Sequence, residues 1–198
     1  MDKLQALKTE LENAYSTDVQ ILPFDVRDRE AAAKALTTLP ESYQTIDILV
    51  NNAGLALGMD KEYEGTEENY DTMIETNITA LLMITRLVVP GMVKRGMGHI
   101  INIGSVAGDI AYPGGSVYCA TKAAVKVLSD GLRMDLVDTP LRVTNVKPGL
   151  VETNFSVTRF AGDKERADKV YHGIKPLTGE DIAEVVYFAA SAPAHVQI

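Results

Sequence analysis

The sequence predicts an α/β fold with a parallel sheet covered by helices on both faces. Three observations predict it. Strand-like and helix-like segments alternate along the chain. The strand segments are continuous Val/Ile runs rather than one-in-two alternations, the pattern of strands buried on both faces. A Gly, Asn, Ser or Asp follows each run, where the crevice of such a sheet lies.

The elements follow in order. Residues 3–15 carry Leu4, Leu7, Leu11 and Ala14 at helical spacing. "VQILPFDV" (19–26) reads as a strand, with Pro23 placing it at an edge or a strand end. "DREAAAKALTTL" (28–39) is a helix with acidic residues in its first turn. "IDILVNNAG" (46–54) is a buried strand ending in a Gly turn. Residues 67–95 form a long helix, for which Thr66 and the following Glu67, Glu68 and Asn69 supply N-terminal cap chemistry. "GHIINIGS" (98–105) is a second buried strand and 115–137 another long helix. "LRVTNVKPG" (141–149) is a third buried strand, stopped by Pro148 and Gly149. Residues 178–191 form a helix opened by Thr178 with Asp181 three positions on.

The chain has 198 residues, 46% of them hydrophobic and 23% charged, which suits one domain, 1–198, with one core. A net charge of −8 with no basic run argues against nucleic-acid binding. Cys119 is the single cysteine, so no internal disulfide forms, and with no His near it in sequence it reads as a small buried thiol. The three His residues are scattered, and no metal site is expected. No apolar run approaches the ~18 residues of a membrane span, and the charged N-terminus is not a signal peptide. A cytoplasmic protein without membrane partners is the expectation.

Tyr118 and Lys122, in "SVYCATKAA", stand four apart and share one helix face. The pattern alone is weak, arising by chance roughly once in every chain or two of this size. Its chemistry is definite, however. A free phenol has a pKa of about 10, and a lysine one turn away favours the phenolate. Ser105 can donate to a carbonyl oxygen beside Tyr118, and the pair would polarise that carbonyl or take a proton from an alcohol. Asn77, a poor helix former inside 67–95, bends the helix locally or holds a water. Each has a plainer alternative: Ser105 a strand-end turn, Asn77 an exposed helix residue, Asn51–Gly54 a loop, Asp25 a helix cap. Taken singly the plainer readings are favoured. Together the residues fall in order along one crevice.

Those residues, in "DVRD" (25–28), "NNAG" (51–54), Asn77, Ser105, "YCATK" (118–122) and "PGLVET" (148–153), resemble the short-chain dehydrogenase/reductase family over nearly the whole chain. The resemblance implies a Rossmann-type doubly wound parallel sheet, strand order 3-2-1-4-5-6-7, and a catalytic tetrad of Asn77, Ser105, Tyr118 and Lys122. Tyr118 would be the acid/base and Ser105 the carbonyl ligand, the two forming the substrate site. Lys122 would lower the Tyr118 pKa and bind the nicotinamide ribose, and Asn77 would hold a proton-relay water. Asp25 and Val26 match the adenine contacts, and Asn52, Ala53 and Gly54 the loop along the cofactor. Pro148, Gly149, Val151 and Thr153 lie in the segment that fixes the nicotinamide amide.

"ILVNNAGLALGM", "GHIINIGSVAG", "PGLVETNFS" with "RFAGD", and "PAHVQI" are similar to the NADP-dependent 3-hydroxy acid dehydrogenases. That similarity implies NADP and substrates such as L-serine, L-allo-threonine or 3-hydroxypropionate. Substrate choice would lie mostly in a lid-like loop at 150–175. There Arg159, Arg166 and Lys169 are candidates for a substrate carboxylate, with solvated lid charge the preferred reading of each. Family members usually assemble as tetramers through their two long helices, here 67–95 and 115–137.

The family's glycine-rich turn, Thr-Gly-x-x-x-Gly-x-Gly, and its first two strands are absent from these residues. The expectation is a fragment of a protein longer at both ends, whose strand at 19–24 lacks a neighbour. The residues that tell a 2′-phosphate from a 2′-hydroxyl are absent too, which leaves NAD open. A reductase of another carbonyl, of 3-oxoacyl or sugar type, is the alternative enzyme, distinguished by kinetics on an oxoacyl substrate. An inactive protein on the same fold is the alternative from another class. The intact Ser105, Tyr118 and Lys122 speak against it and the missing phosphate loop for it.

Overall fold

The computed structural model describes residues 2–198. The chain divides into two compact units, Met1–Thr45 and Ile46–Ile198.

The first unit holds helices α1 (Asp2–Tyr15) and α2 (Arg29–Thr37). The Asp28 side chain caps α2 by accepting from Ala31 N–H at 2.9 Å. The strand expected at 19–26 does not form: these residues join no ladder. A strand exists only where a neighbour takes its backbone groups, and here side chains of α1 take them instead. Lys8 Nζ donates to the Val19 carbonyl, and Val19 N–H donates to Glu12 Oε1.

The second unit is built on a parallel sheet ordered β1 (Ile48–Asn51), β2 (His99–Ile103), β3 (Arg142–Val146). The register pairs Val50 with Ile101 and Ile101 with Thr144. Between β1 and β2 run α3 (Glu67–Ile74), a π-helical turn (Glu75–Ala80) and α4 (Leu81–Arg95) as one continuous helix. Between β2 and β3 runs α5 (Ser116–Asp135). Thr66 caps α3 by accepting from Asn69 N–H, and Gly96 ends α4 with φ 68°, a left-handed conformation that glycine adopts at little cost.

Side chains alternate across the sheet, and each face has its own cover. Asn51 Nδ2 donates to Thr85 Oγ1 of α4 and to Asn102 Oδ1, and Asn102 Nδ2 donates to Ser129 Oγ of α5. On the other face Ile101 and Val146 pack with Ala189 of α8 (Gly179–Ser191). Helices on both faces leave Ile100, Ile101 and Val143 of β2 and β3 fully buried, whereas β1, expected to be a buried strand, has Ile48 and Val50 exposed on one face. Thr178 and Asp181 form the expected reciprocal cap of α8. The 150–175 segment is more regular than a loop: it holds α6 (Asn154–Arg159) and α7 (Lys164–Lys169).

The helix at Glu67–Arg95 corrects the expectation that no segment could match a membrane span, because by length and composition it passes that test. One side of it packs into the core, while Ile74, Leu82, Leu87 and Val93 are exposed. Met73, Leu81, Val88, Val89 and Met92 are buried, as is the polar Asn77.

His99 opens β2 in a buried position, with Nε2 2.8 Å from Thr144 Oγ1. Burial, aided by the Arg142 charge, lowers its pKa to about 4. The unfolded chain takes up this proton near pH 6.5 and the folded chain only near pH 4. The His99 contribution is therefore complete above pH 6.5 and lost as pH falls toward 4, by up to about 3 kcal/mol. Urea midpoints measured from pH 7 to 4 should fall in the wild type, and the fall should shrink in His99→Gln.

Candidate active site

Where a parallel ladder ends, backbone groups lose their partners. At the carboxyl edge of this sheet, side chains replace them. Lys122 Nζ donates to the carbonyl of Ile103, the last residue of β2, at 2.8 Å. Ser105, two residues on, accepts from Ala107 N–H at 3.1 Å and donates to the Pro148 carbonyl beyond β3 at 3.5 Å. Val106 N–H donates to the same Pro148 carbonyl. The exits of β2 and β3 are thereby tied together.

Asn77 does the same for the exit of β1. It lies in the π-helical turn, 2% exposed. Its Oδ1 accepts from Leu55 N–H at 2.9 Å, and its Nδ2 donates to the Leu55 carbonyl at 2.8 Å and to Thr121 Oγ1 at 3.0 Å. Thr121 Oγ1 in turn donates to the Tyr118 carbonyl. The local bend expected of Asn77 is this π turn, a feature frequent at functional sites. Asn77 is thus neither an exposed helix residue nor a loose one; it joins the β1 exit loop to α5.

Tyr118 stands in the first turn of α5, its ring edge-on to Phe155 with centroids 5.6 Å apart. Lys122 Nζ lies 6.0 Å from the ring centroid. Tyr118, Ser105, Lys122 and Asn77 are all buried, so four of the expected site residues meet at one sheet edge. Burial raises the Tyr118 pKa above its usual value, against the pull of its hydrogen bond with Ser105. Burial also lowers Lys122 to about 8. The expected lowering of the phenol by Lys122 is therefore not what governs it here. The ammonium is turned onto the Ile103 carbonyl, and desolvation of the phenolate prevails.

Asn52, Ala53 and Gly54 follow β1 and are exposed along the crevice. A methyl group on Gly54 would stand 3.3 Å from both Asn77 Oδ1 and Lys122 Nζ. Pro148 is tied to Ser105, and Gly149 is exposed beside it. Val151 bridges to Leu177, and Thr153 caps α6 by accepting from Phe155 N–H. Asp25 and Val26 belong to the first unit. There the Asp25 carboxylate is gripped by Arg27 through Nε and Nη2 and the Arg27 N–H, which lowers its pKa to about 2.

Two features escape the sequence reading. The Asn51–Asn102–Ser129 relay crosses the sheet below the site; only the alternation of polar residues within Val/Ile runs signals it. Thr121 carries no motif of its own. Arg159 enters a cleft beside Tyr118, whereas Arg166 stacks on Phe160 and Lys169 pairs with Glu165 in solvent. Among the described residues, no group of His, Cys, Asp and Glu is arranged to hold a metal.

Residues 1–164 match the family described as short chain dehydrogenase. The NADP-dependent 3-hydroxy acid dehydrogenase of Escherichia coli is 50% identical over 199 residues, covering 100% of this chain and 78% of its own. The corresponding enzyme of Schizosaccharomyces pombe is 45% identical, over 98% of this chain and 75% of its own. Among solved structures, the closed form of a serine dehydrogenase complexed with NADP+ superposes with TM-score 0.94 at 48% identity, covering 100% of this chain and 79% of that one.

Gly108 shows how tightly the Ser105 turn sits on α5. A Cβ there would stand 2.7 Å from the backbone carbonyl carbon and oxygen of Lys122. Backbone cannot rotate away as a side chain can. Gly108→Ala is expected to destabilise the protein by about 1–3 kcal/mol, measured by urea unfolding, and to lower turnover by displacing Ser105.

Proposed function

The chain belongs to the short-chain dehydrogenase family, and from that membership we propose that it oxidises a short 3-hydroxy acid with NADP. L-Serine, L-allo-threonine and 3-hydroxypropionate are the substrates in view. The observation that carries this reading is the meeting of Tyr118, Ser105, Lys122 and Asn77 at the carboxyl edge of the sheet. The substrate class and the cofactor are supported by the names of the relatives that match over the whole chain.

The residues present fit a nicotinamide cofactor. Lys122 carries three N–H donors and the Ile103 carbonyl takes one, so the others can serve ribose hydroxyls above Gly54. Asn52, Ala53 and Gly54 would lie along the cofactor, and Pro148, Gly149, Val151 and Thr153 would meet its amide. Asp25 and Val26 would contact the adenine. When bound there, NADP would supply the acceptor for the hydride of the carbinol carbon.

The chain's own residues handle the proton. Ser105 Oγ hydrogen-bonds the substrate oxygen, and Tyr118 takes the hydroxyl proton as the carbonyl forms. Burial opposes the phenolate that this requires. Lys122, about 8 and so still largely protonated at neutral pH, supplies the compensating charge. Asn77 Oδ1, which accepts from Leu55 N–H, has a second lone pair, with which it would hold a water that relays the proton outward. Exposed Leu82 and Leu87 of α4, with Val127 and Met134 of α5, support assembly through the two long helices.

Tyr118→Phe tests the reading. With 3-hydroxypropionate and NADP, reduced cofactor measured by absorbance should form about 10²–10⁴-fold more slowly than in the wild type, while cofactor binding followed by fluorescence persists. Unchanged turnover in Tyr118→Phe would remove Tyr118 from the chemistry.

A further inference from the structure

We infer that Arg159 receives the carboxylate of the substrate, an assignment that rests on the hydroxy-acid reading above. Arg159 closes α6 and its guanidinium enters the narrow cleft that Leu57, Met73 and Tyr118 also line. It is held there by neutral oxygens alone. Nε donates to the Gly58 carbonyl at 2.8 Å, Nη1 to the Tyr112 hydroxyl at 2.8 Å and Nη2 to the Gly114 carbonyl at 3.5 Å. Its own carbonyl accepts from Gly58 N–H at 2.9 Å, so the loop after β1 and the end of α6 clasp each other. Asp60 lines the same cleft, yet among the described residues no carboxylate forms an ion pair with Arg159.

This arrangement differs from that of the neighbouring cations. Arg166 lies over the Phe160 ring at 4.5 Å, and the exposed Lys169 is neutralised by Glu165 at 2.8 Å. Arg159 is partly withdrawn from water, fixed by three bonds and flanked by Tyr112 and Tyr118, with guanidinium-to-centroid distances of 5.4 and 6.0 Å. A guanidinium has five N–H donors, so two remain after those bonds. An oriented cation without a counter-ion, next to the proposed base, is matched to an anion. In a 3-hydroxy acid one carbon separates the carboxyl carbon from the carbinol carbon. The carboxylate must therefore lie within a few ångström of the group that takes the hydroxyl proton, and Arg159 is the cation lining the cleft beside Tyr118.

The test compares 3-hydroxypropionate with its neutral methyl ester. In Arg159→Gln the acid-to-ester ratio of kcat/KM should fall roughly 10- to 100-fold, chiefly through KM for the acid. Any loss common to both substrates cancels in the ratio. Arg159→Lys keeps the charge but not the fork and should recover part of the ratio; it carries the test if the Gln variant does not fold. A second readout needs no turnover: saturation-transfer NMR should detect propionate on the wild type and lose it in Arg159→Gln, with 1-propanol as the neutral control. Equal losses on acid and ester, or propionate binding that survives Arg159→Gln, would overturn the assignment and leave the hydroxy-acid reading intact. A wild type that oxidises no hydroxy acid yet binds propionate through Arg159 would overturn the hydroxy-acid reading and keep only the carboxylate-binding role of Arg159 in the cleft.

Discussion

Buried backbone groups must be paired, and at the carboxyl edge of a parallel sheet the ladder has no more partners to give. In this protein the side chains that complete the ladder are the same ones that furnish the site. Lys122 takes the last carbonyl of β2, Asn77 takes both backbone groups of Leu55, and Ser105 bridges to Pro148. Each side chain is therefore fixed by a structural requirement before it meets any ligand. Such fixing is what a proton-transfer site needs, since a reacting group held in place loses no orientation at the moment of reaction.

The same burial that fixes these groups sets their electrostatics. It raises the phenol of Tyr118 and lowers the ammonium of Lys122, so each neutral form is favoured. Lys122 still keeps its charge at neutral pH, and small added fields shift the protons of such a site. Arg159, 6.0 Å from the Tyr118 ring centroid, adds positive potential in a chain whose net charge is −8. That charge favours an anionic ligand in the cleft and a phenolate beside it.

Much of this was legible in the sequence, and the reasons differ by element. Val/Ile runs at 98–105 and 141–149 marked strands because burial on both faces leaves little room for alternation; the run at 46–54 also forms a strand, but Ile48 and Val50 on one of its faces are exposed. Thr66 and Thr178 marked helix starts because cap chemistry is local. The apolar run at 19–26 misled for the opposite reason: its residues favour a strand, but strand formation depends on a neighbour. Asn77 was legible as a disturbance of the helix, while its grip on Leu55 and Thr121 was not. Among Arg159, Arg166 and Lys169, three similar cations in one short segment, nothing in residue type told them apart. Their surroundings do: an aromatic slot with backbone carbonyls, a single ring, and a glutamate in solvent.

The sequence by itself determined the α/β class, the order of strands and long helices in the second unit, and the identity of the groups proposed to move a proton. These follow from hydrophobic period, capping and functional-group chemistry, which act over a few residues. Only the tertiary structure decided that Lys122 faces the Ile103 carbonyl, that burial governs Tyr118, and that Arg159 enters the cleft. Desolvation and hydrogen-bond partners depend on segments as far apart as 101 positions, as between Arg159 and Gly58, and only packing brings such segments together.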